Sequence, residues 1–263
     1  MHAAAYTDRF PEGVHMVEIK GLNKKYGSQP ALIDIDLSFG QGEIIGLFGE
    51  NGAGKTTLMK CILGLINYSG SIRLDGEPIT RKNIGRFAFA TNEHSFFPEL
   101  SAKGHARFFA DHFETFKEKR FKGLMDFFGL PEDRPVGRFS TGQQNQFEVL
   151  LALSQGADYI LMDEPFAGND IFNREDFYKV LSGILEPEET VMLSTHLIEE
   201  VSNFVGRAVL IRKGKLIGDA NIEDLEEQGL TLVDYIKKTY NYHEDRVAKA
   251  LSDITGEGEE NED

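Results

Sequence analysis

Short stretches near the start of the chain alternate apolar and polar residues, a pattern that predicts β-strands. Val17–Ile19 begins such a stretch, and the alternation is clear over Leu32–Leu37. The continuous apolar run Ile44–Phe48 predicts a buried strand. Ser71–Leu74 predicts a further strand, because the pair Asp75-Gly76 that follows it is typical of a tight turn. The first part of the chain is therefore expected to consist mainly of strands.

Helical periodicity and many phenylalanines characterise the middle of the chain. Half of the 20 phenylalanines lie between Phe96 and Phe139. Three of them are spaced as on one face of a helix: Phe109, Phe113 and Phe116. A second helical pattern ends at Gly129. We therefore expect a small helical subdomain, about residues 93–150, inserted between parts of an α/β core.

Two later apolar runs, Tyr159–Met162 and Thr190–Leu193, predict buried strands separated by helical patterns. Strands that alternate with helices favour a mostly parallel sheet, which binds ligands at the carboxyl ends of its strands. Asp163 and Glu164 follow the first run directly, and His196 follows the second. These three side chains are therefore expected to lie at the ligand-binding edge of the sheet.

The most informative motif follows the apolar run Ile44–Phe48. Gly49–Thr57 fits the phosphate-loop pattern G-x-x-x-x-G-K-[ST], and a helical pattern comes after it. Backbone N–H groups of such a loop surround phosphate oxygens, which requires small residues. Lys55 is placed to reach the outer phosphates, and the Thr56 hydroxyl is suited to bind Mg²⁺. The alternative is a chance match on a glycine-rich turn, which the flanking strand and helix disfavour. The predicted nucleotide-binding residues of the loop are Gly49, Glu50, Asn51, Gly52, Ala53, Gly54, Lys55, Thr56 and Thr57.

The acidic pair after Tyr159–Met162 is the second group of residues suited to the chemistry of a bound triphosphate. Asp163 is suited to hold Mg²⁺, directly or through water, and Glu164 to take a proton from an attacking water. His196 is suited to hydrogen-bond the γ-phosphate and the water near Glu164. The alternatives are a merely polar strand end for the two acids and a structural role for the histidine.

Length and composition narrow the possible functions. The 263 residues suffice for one large domain, or for one domain with a subdomain. A net charge of −15 argues against binding to nucleic acid or to an anionic membrane surface. The single cysteine, Cys61, excludes an intramolecular disulfide and a zinc cluster, and we expect it to be a buried, inert thiol. No apolar stretch reaches the roughly 18 residues of a membrane span.

The segment Phe139–Gln143 begins a helical pattern and has the sequence Phe-Ser-Thr-Gly-Gln. It looks like the Leu-Ser-Gly-Gly-Gln signature of the nucleotide-binding subunits of ATP-binding cassette (ABC) transporters. Ser140 lies 23 residues before Asp163, as in that family. The order of phosphate loop, signature, acidic strand end and histidine is specific to the family. The resemblance covers most of the chain, from about Met16 to about Asp219.

This resemblance implies a fold and a domain organisation. The fold class is α/β: a phosphate-loop NTPase core with a mostly parallel sheet, an antiparallel β subdomain near the N-terminus and an inserted helical subdomain. The cassette is expected to span residues 16–245. Residues 1–15 are expected to be an extension without a secretory signal, and residues 246–263 an acidic, disordered tail.

The resemblance also implies roles for individual residues. Glu164 matches the catalytic glutamate and His196 the switch histidine. Tyr26 matches the aromatic residue that stacks on adenine, with an ordinary edge-strand tyrosine as the alternative. The residues that match contacts to the γ-phosphate held by the other subunit are Ser140, Gly142 and Gln143. The loop that crosses the dimer interface is matched by Gly168 and Asp170.

The chain departs from the family pattern at several positions. Asn92 stands where a glutamine usually links the metal to the helical subdomain, and its side chain is one methylene shorter. The expected metal ligands are therefore Thr56, Asp163 and Asn92. Thr141 replaces a glycine of the signature, Gln146 replaces a common arginine, and Ala167 replaces a common serine. None of these changes removes the base, the lysine or the acidic metal ligand, so we expect an active ATPase.

The function that the resemblance implies is the ATP-hydrolysing subunit of a transporter that uses ATP and Mg²⁺. The expected partners are a second cassette, identical or different, and a separate transmembrane permease, with no nucleic acid. The chain would act in the cytoplasm at the inner face of the cell membrane, and its single-cassette build resembles bacterial exporters. The alternative is a soluble ABC ATPase that acts on nucleic acid or the ribosome. A kinase or a small GTPase is disfavoured because the guanine-reading Asn-Lys-x-Asp motif is missing from the sequence and the signature segment would be unexplained.

Overall fold

The computed structural model describes residues 15–165 and 171–241, with the backbone alone for residues 171–175. These residues contain ten strands and eight α-helices. The strands are β1 (Met16–Tyr26), β2 (Gln29–Gly40), β3 (Ile44–Phe48), β4 (Ser69–Leu74), β5 (Glu77–Pro78), β6 (Phe87–Ala90), β7 (Tyr159–Asp163), β8 (Thr190–Thr195), β9 (Arg207–Arg212) and β10 (Lys215–Asn221). The helices are α1 (Lys55–Ile62), α2 (Ala102–His112), α3 (Glu118–Phe128), α4 (Thr141–Ser154), α5 (Ile171–Ile184), α6 (Ile198–Val201), α7 (Ile222–Glu227) and α8 (Leu232–Thr239). The predicted acidic tail lies outside the described residues, as does the predicted extension except for its last residue.

A four-stranded antiparallel sheet contains the first two strands, in the order β2-β1-β4-β5. Ile19 of β1 pairs with Leu37 on one side and with Ile72 on the other, and all three side chains are buried. The alternation of the sequence thus places one face of this sheet in the core. The predicted antiparallel β subdomain is confirmed.

A six-stranded sheet has the order β10-β9-β3-β8-β7-β6, and all of its neighbouring strands are parallel except the edge strand β10. Its register pairs Phe48 with Thr195, and Asp163 with Ser194. The carboxyl ends of β3, β7 and β8 are therefore level at one edge. This register confirms the mostly parallel sheet and brings the acidic pair and the histidine to the edge from which the phosphate loop leaves.

Both faces of the parallel sheet are buried, which explains why its strands are continuously apolar. In β7, Tyr159 and Leu161 face a core shared with the antiparallel sheet and α1, whereas Ile160 and Met162 face a core shared with the helical subdomain. Cys61 lies in the first of these cores. Burial raises the pKa of its thiol to about 11, which confirms a buried thiol that stays protonated at neutral pH.

The helical subdomain consists of α2, α3 and the long helix α4. The prediction of one helical face through Phe109, Phe113 and Phe116 is wrong, because α2 ends at His112 and Phe113 is extended. The chain turns there toward α3. The rings still pack together, with centroids 5.2 Å apart for Phe109 and Phe113 and 6.0 Å apart for Phe109 and Phe116. Their spacing thus reflects a shared aromatic core and not a continuous helix.

Candidate functional site

The phosphate-loop segment connects Phe48, the last residue of β3, to Lys55, the first residue of α1. Gly54 caps the helix with a φ of 115°, a conformation that L side chains rarely adopt. At Gly49, a Cβ atom would collide with the carbonyl oxygen of Ile211 in β9. Gly49 is therefore required for close packing against β9, a reason that the loop pattern in the sequence does not reveal.

Lys55 holds a buried positive charge over this loop. Its Nζ donates a hydrogen bond to the carbonyl oxygen of Gly49 at 2.8 Å and lies 3.7 Å from Oε1 of Glu164. Lys55 is only 6% exposed. Because a buried ammonium group needs polar partners, these contacts fix the charge between the loop and the predicted catalytic glutamate.

Asp163 accepts hydrogen bonds from two hydroxyl groups, one for each carboxylate oxygen. Thr56 Oγ1 donates to Oδ2 at 2.6 Å, and Ser194 Oγ donates to Oδ1 at 2.6 Å. Thr56 and Asp163 are separated by 107 positions in the sequence. The structure thus joins two of the predicted metal ligands and adds Ser194, which the sequence analysis missed. The available signal was the position of this serine at the end of β8, directly opposite Asp163 in the register.

Glu164 adopts a left-handed backbone conformation with a φ of 48°. Such a conformation is uncommon for glutamate and costs roughly 1 kcal/mol. Hydrogen bonds from its N–H group to the carbonyl oxygen and to Oγ of Ser194 hold it in place. Its Oε1 is buried and has no hydrogen-bond partner within the described part of the chain. This oxygen faces the ammonium group of Lys55, 3.7 Å away.

His196 contacts the other carboxylate oxygen of the same glutamate. Its Nδ1 lies 3.0 Å from Oε2 of Glu164, and its side chain is 59% exposed. The ring therefore lies at the mouth of the site and leaves its second nitrogen available for a further partner. The structure thus brings together the two residues that were predicted to be catalytic.

The oxygen atoms around Asp163 fit a Mg²⁺ ion in their chemistry. A hydroxyl group and a carboxylate are the hard oxygen ligands that Mg²⁺ prefers, and Thr56 and Asp163 supply them at the start of a helix and the end of a strand. Asn92, the third predicted ligand, follows β6 by two residues and is exposed. Because Ala90 pairs with Met162, Asn92 lies at the same sheet edge, and its role as a ligand stays a prediction.

Tyr26 lies at the end of β1, where it pairs with Gln29 across the turn to β2. It is 53% exposed, and Nζ of Lys24 lies 4.9 Å from the centroid of its ring. An exposed ring with one face open to a ligand favours the predicted stacking role over that of a packed edge-strand residue. The stacking itself stays a prediction.

The signature segment forms the N-terminus of α4. Ser140 is the N-cap residue: its Oγ accepts a hydrogen bond from the N–H of Gln143, and its own N–H donates to Oε1 of Gln143. This reciprocal capping fixes the first turn of the helix. Phe139 is buried against Phe147, which anchors the segment in the subdomain core. Ser140 is exposed and Gly142 partly exposed, so the positive end of the helix dipole faces outward.

Two buried residues that the sequence analysis missed hold the segment between β6 and α2. Glu148 of α4 accepts hydrogen bonds from the N–H and the hydroxyl group of Ser95, and burial raises the pKa of its carboxyl. Nε2 of His105 accepts from the N–H of Phe97, and its Nδ1 lies 2.9 Å from the carbonyl oxygen of Ser101. The segment that carries Asn92 is thus tied to two helices of the subdomain. Gly168 and Asp170 lie outside the described residues.

Comparison with known proteins adds independent evidence. A family model described as ABC transporter matches residues 32–167. The lantibiotic transport ATP-binding protein SrtF of Streptococcus pyogenes is 27% identical over 80% of this chain and 95% of its own length. The Nod factor export ATP-binding protein I of Cupriavidus pinatubonensis is 30% identical over 80% of this chain and 67% of its own.

A solved structure agrees with these sequence relatives. The structure of an ATP-binding subunit of an ABC transporter superposes with a TM-score of 0.74 at 25% identity. The superposition covers 86% of this chain and 98% of the other. The family match and the fold therefore agree with the phosphate-binding site that the geometry indicates.

Proposed function

Because the chain belongs to the ABC transporter family, whose ATP-binding subunits hydrolyse ATP to power transport, we propose that it drives an exporter as one of two paired cassettes. The observation that carries this proposal is the arrangement at one sheet edge. There, Lys55 lies 3.7 Å from Glu164, and Glu164 lies 3.0 Å from His196. The base thus lies between a phosphate-binding cation and a residue that orients it.

The chemistry follows from these distances. Lys55 binds the outer phosphates of ATP, and Oε1 of Glu164 accepts the proton of the water that attacks the γ-phosphate. His196 keeps the glutamate oriented through Oε2 and offers its other ring nitrogen to the γ-phosphate. A Mg²⁺ ion held by Thr56 and Asp163 would neutralise part of the phosphate charge.

Pairing of two cassettes is the second part of the proposal. The N-terminus of α4, a 14-residue helix, combines first-turn N–H groups with a favourable dipole, so it suits an anion. Ser140, Gly142 and Gln143 at this end would contact the γ-phosphate bound to the phosphate loop of the partner cassette. ATP would then join the two copies, and hydrolysis would loosen them by removing the phosphate that both hold.

The membrane part of the transporter would be a separate permease. Among the described residues, no helix has the length and apolar character of a membrane span. Phe97, Leu100 and Phe127 of the helical subdomain are exposed, and such apolar residues suit contact with a partner helix. The relative named for Nod factor export supports an export direction. Such a complex would place this chain at the cytoplasmic face of the cell membrane. Co-purification with a membrane protein would support the assignment, whereas capture with ribosomes would contradict it.

The decisive test is the variant Glu164→Gln. An amide cannot accept the proton from water, so hydrolysis should fall by about 10²-fold or more while ATP still binds. Phosphate release and nucleotide affinity measure these two effects. With saturating ATP, the variant should also elute as a dimer on size exclusion, because the γ-phosphate that both copies contact is not removed.

The matched control is Glu118→Gln, which makes the same chemical change at an exposed position of α3. It should hydrolyse ATP at the unmodified rate and should not accumulate as a dimer. Wild-type hydrolysis by Glu164→Gln would show that this residue is not the base. A monomer at saturating ATP would count against pairing with an identical copy.

A further inference from the structure

A cavity of about 290 Å³ separates the beginning of the phosphate loop from the C-terminal helix α8. Gly49, Glu50 and His196 line one side, and Ile236 and Tyr240 line the other. Side-chain packing therefore leaves this flank of the loop without close support. Within the described part of the chain, specific bonds across the cavity wall are therefore the restraint on the loop at this point.

Tyr240 supplies such a bond. Its hydroxyl donates to the carbonyl oxygen of Ile211 at 3.2 Å, and its side chain lines the same cavity as Gly49 and Glu50. Ile211 is also the residue against which Gly49 packs without room for a side chain. One phenolic oxygen thus links the end of α8 to the point of β9 against which the phosphate loop begins.

The ring of Tyr240 is itself held in position. The guanidinium group of Arg212 lies 5.1 Å from its centroid, and Nη1 of Arg212 donates to the carbonyl oxygen of Tyr240. The helix before it is fixed by a capping box between Thr231 and Asp234 and by the buried side chain of Ile236. The hydroxyl is therefore presented to the loop by a rigid support.

We propose that Tyr240 is a positioning residue for ATP binding, which rests on the proposed function of the phosphate loop. Its hydroxyl holds the Ile211 carbonyl of β9, against which Gly49 packs, and so supports the Gly49–Glu50 backbone. The ammonium group of Lys55 donates to the carbonyl oxygens of these same two residues, at 2.8 and 3.4 Å. A shift of this backbone would therefore move the cation that binds the phosphates. Helix α8, outside residues 32–167 of the family match, would in this way set nucleotide affinity.

The test is Tyr240→Phe, which keeps the ring on Arg212 and removes only the hydroxyl. We expect the Kd and the KM for ATP to rise about three- to tenfold, the effect of one lost hydrogen bond, while kcat changes by less than about twofold. Hydrogen exchange of the loop amides between Gly49 and Gly54 should accelerate. These readouts separate positioning from a general loss of stability.

The matched control is Tyr235→Phe on the same helix. The Tyr235 hydroxyl also lies against sheet backbone, that of Gly218 in β10, but Tyr235 is not among the residues that line the cavity beside the phosphate loop. We expect this variant to bind ATP with unmodified affinity at a similar cost in melting temperature. Equal ATP affinities for the two variants would overturn the proposal. Wild-type protein that binds ATP without hydrolysing it would contradict the proposed function alone, because affinity and amide exchange still report on Tyr240.

Discussion

At the scale of single residues, the site depends on hydrogen bonds that fix acidic groups in place. Ser194 is central, because its hydroxyl donates to Asp163 while its oxygen accepts from the N–H of Glu164. One side chain thus orients the predicted metal ligand and the predicted base. It also stabilises the left-handed backbone at Glu164.

The variant Ser194→Ala tests this role. It removes one donor from the Asp163 carboxylate, and hydrogen bonds to charged groups contribute about 1.5–3 kcal/mol. We therefore expect kcat to fall by about tenfold or more and the Mg²⁺ concentration for half-maximal activity to rise. Both are measured by titrating Mg²⁺ into an ATPase assay.

Thr190→Val is the matched control in the same strand. It removes a hydroxyl that donates to the carbonyl oxygen of Gly40, at the opposite end of β8. Its activity should have an unmodified Mg²⁺ dependence even where its stability is reduced. If both variants require the same Mg²⁺ concentration as the unmodified protein, Ser194 does not support the metal site.

At the scale of elements, the segment between β6 and α2 connects the sheet edge to the helical subdomain. His105 of α2 is fully buried, and its unprotonated Nε2 accepts from the N–H of Phe97. Burial lowers the pKa of this imidazole below its ordinary value of 6.5. Protonation of Nε2 would place its N–H against the N–H of Phe97. Only the neutral ring can therefore accept this hydrogen bond and hold the segment.

This arrangement predicts a pH-dependent stability. Because the folded-state pKa of His105 is depressed, its contribution is present above pH 6.5 and is lost as the pH falls through the folded-state pKa. The melting temperature should therefore decrease by a few degrees on acidification from pH 7 to below 6. In His105→Gln, this part of the decrease should disappear.

His112→Gln is the control on the same helix. Its Nδ1 also faces the carbonyl oxygen four residues earlier, that of Phe108, but the side chain is exposed. It should keep the pH dependence of the unmodified protein. A pH profile of His105→Gln that coincides with the unmodified profile would contradict the role of the buried ring.

At the scale of the whole molecule, charge opposes the pairing that the proposed function requires. Each copy carries a net charge of −15, so two copies repel one another at low ionic strength. The screening length falls from about 10 Å at 0.1 M salt to about 3 Å at 1 M. Salt should therefore favour association, in contrast to its effect on proteins that bind nucleic acid.

The ATP-bound dimer of Glu164→Gln provides the measurement. Its dissociation constant should decrease several-fold between about 50 and 300 mM NaCl, as determined by sedimentation equilibrium. Sucrose at matched osmolality is the control, since it does not screen charge. Weaker association at higher salt would show that attractive charge pairs across the interface outweigh the net repulsion.

The sequence by itself determined the phosphate loop, the acidic strand end and the mostly parallel sheet, because these features arise from local patterns, whereas the separate antiparallel sheet was expected from the family resemblance. A glycine-rich turn before a helix and an apolar strand before an acid can be recognised from adjacent residues. The same reliance on spacing produced the error at Phe113, where a helical period continued past the end of α2.

Only the tertiary structure decided which distant residues support the site. Ser194 reaches Asp163 because β8 pairs with β7, and Ile211 reaches Gly49 because β9 pairs with β3. Strand order brings together side chains that are separated by tens to hundreds of positions, and it leaves no periodic trace in the sequence. The residues proposed to be catalytic could therefore be named from the chain, whereas the hydrogen bonds that orient them depend on the folded sheet.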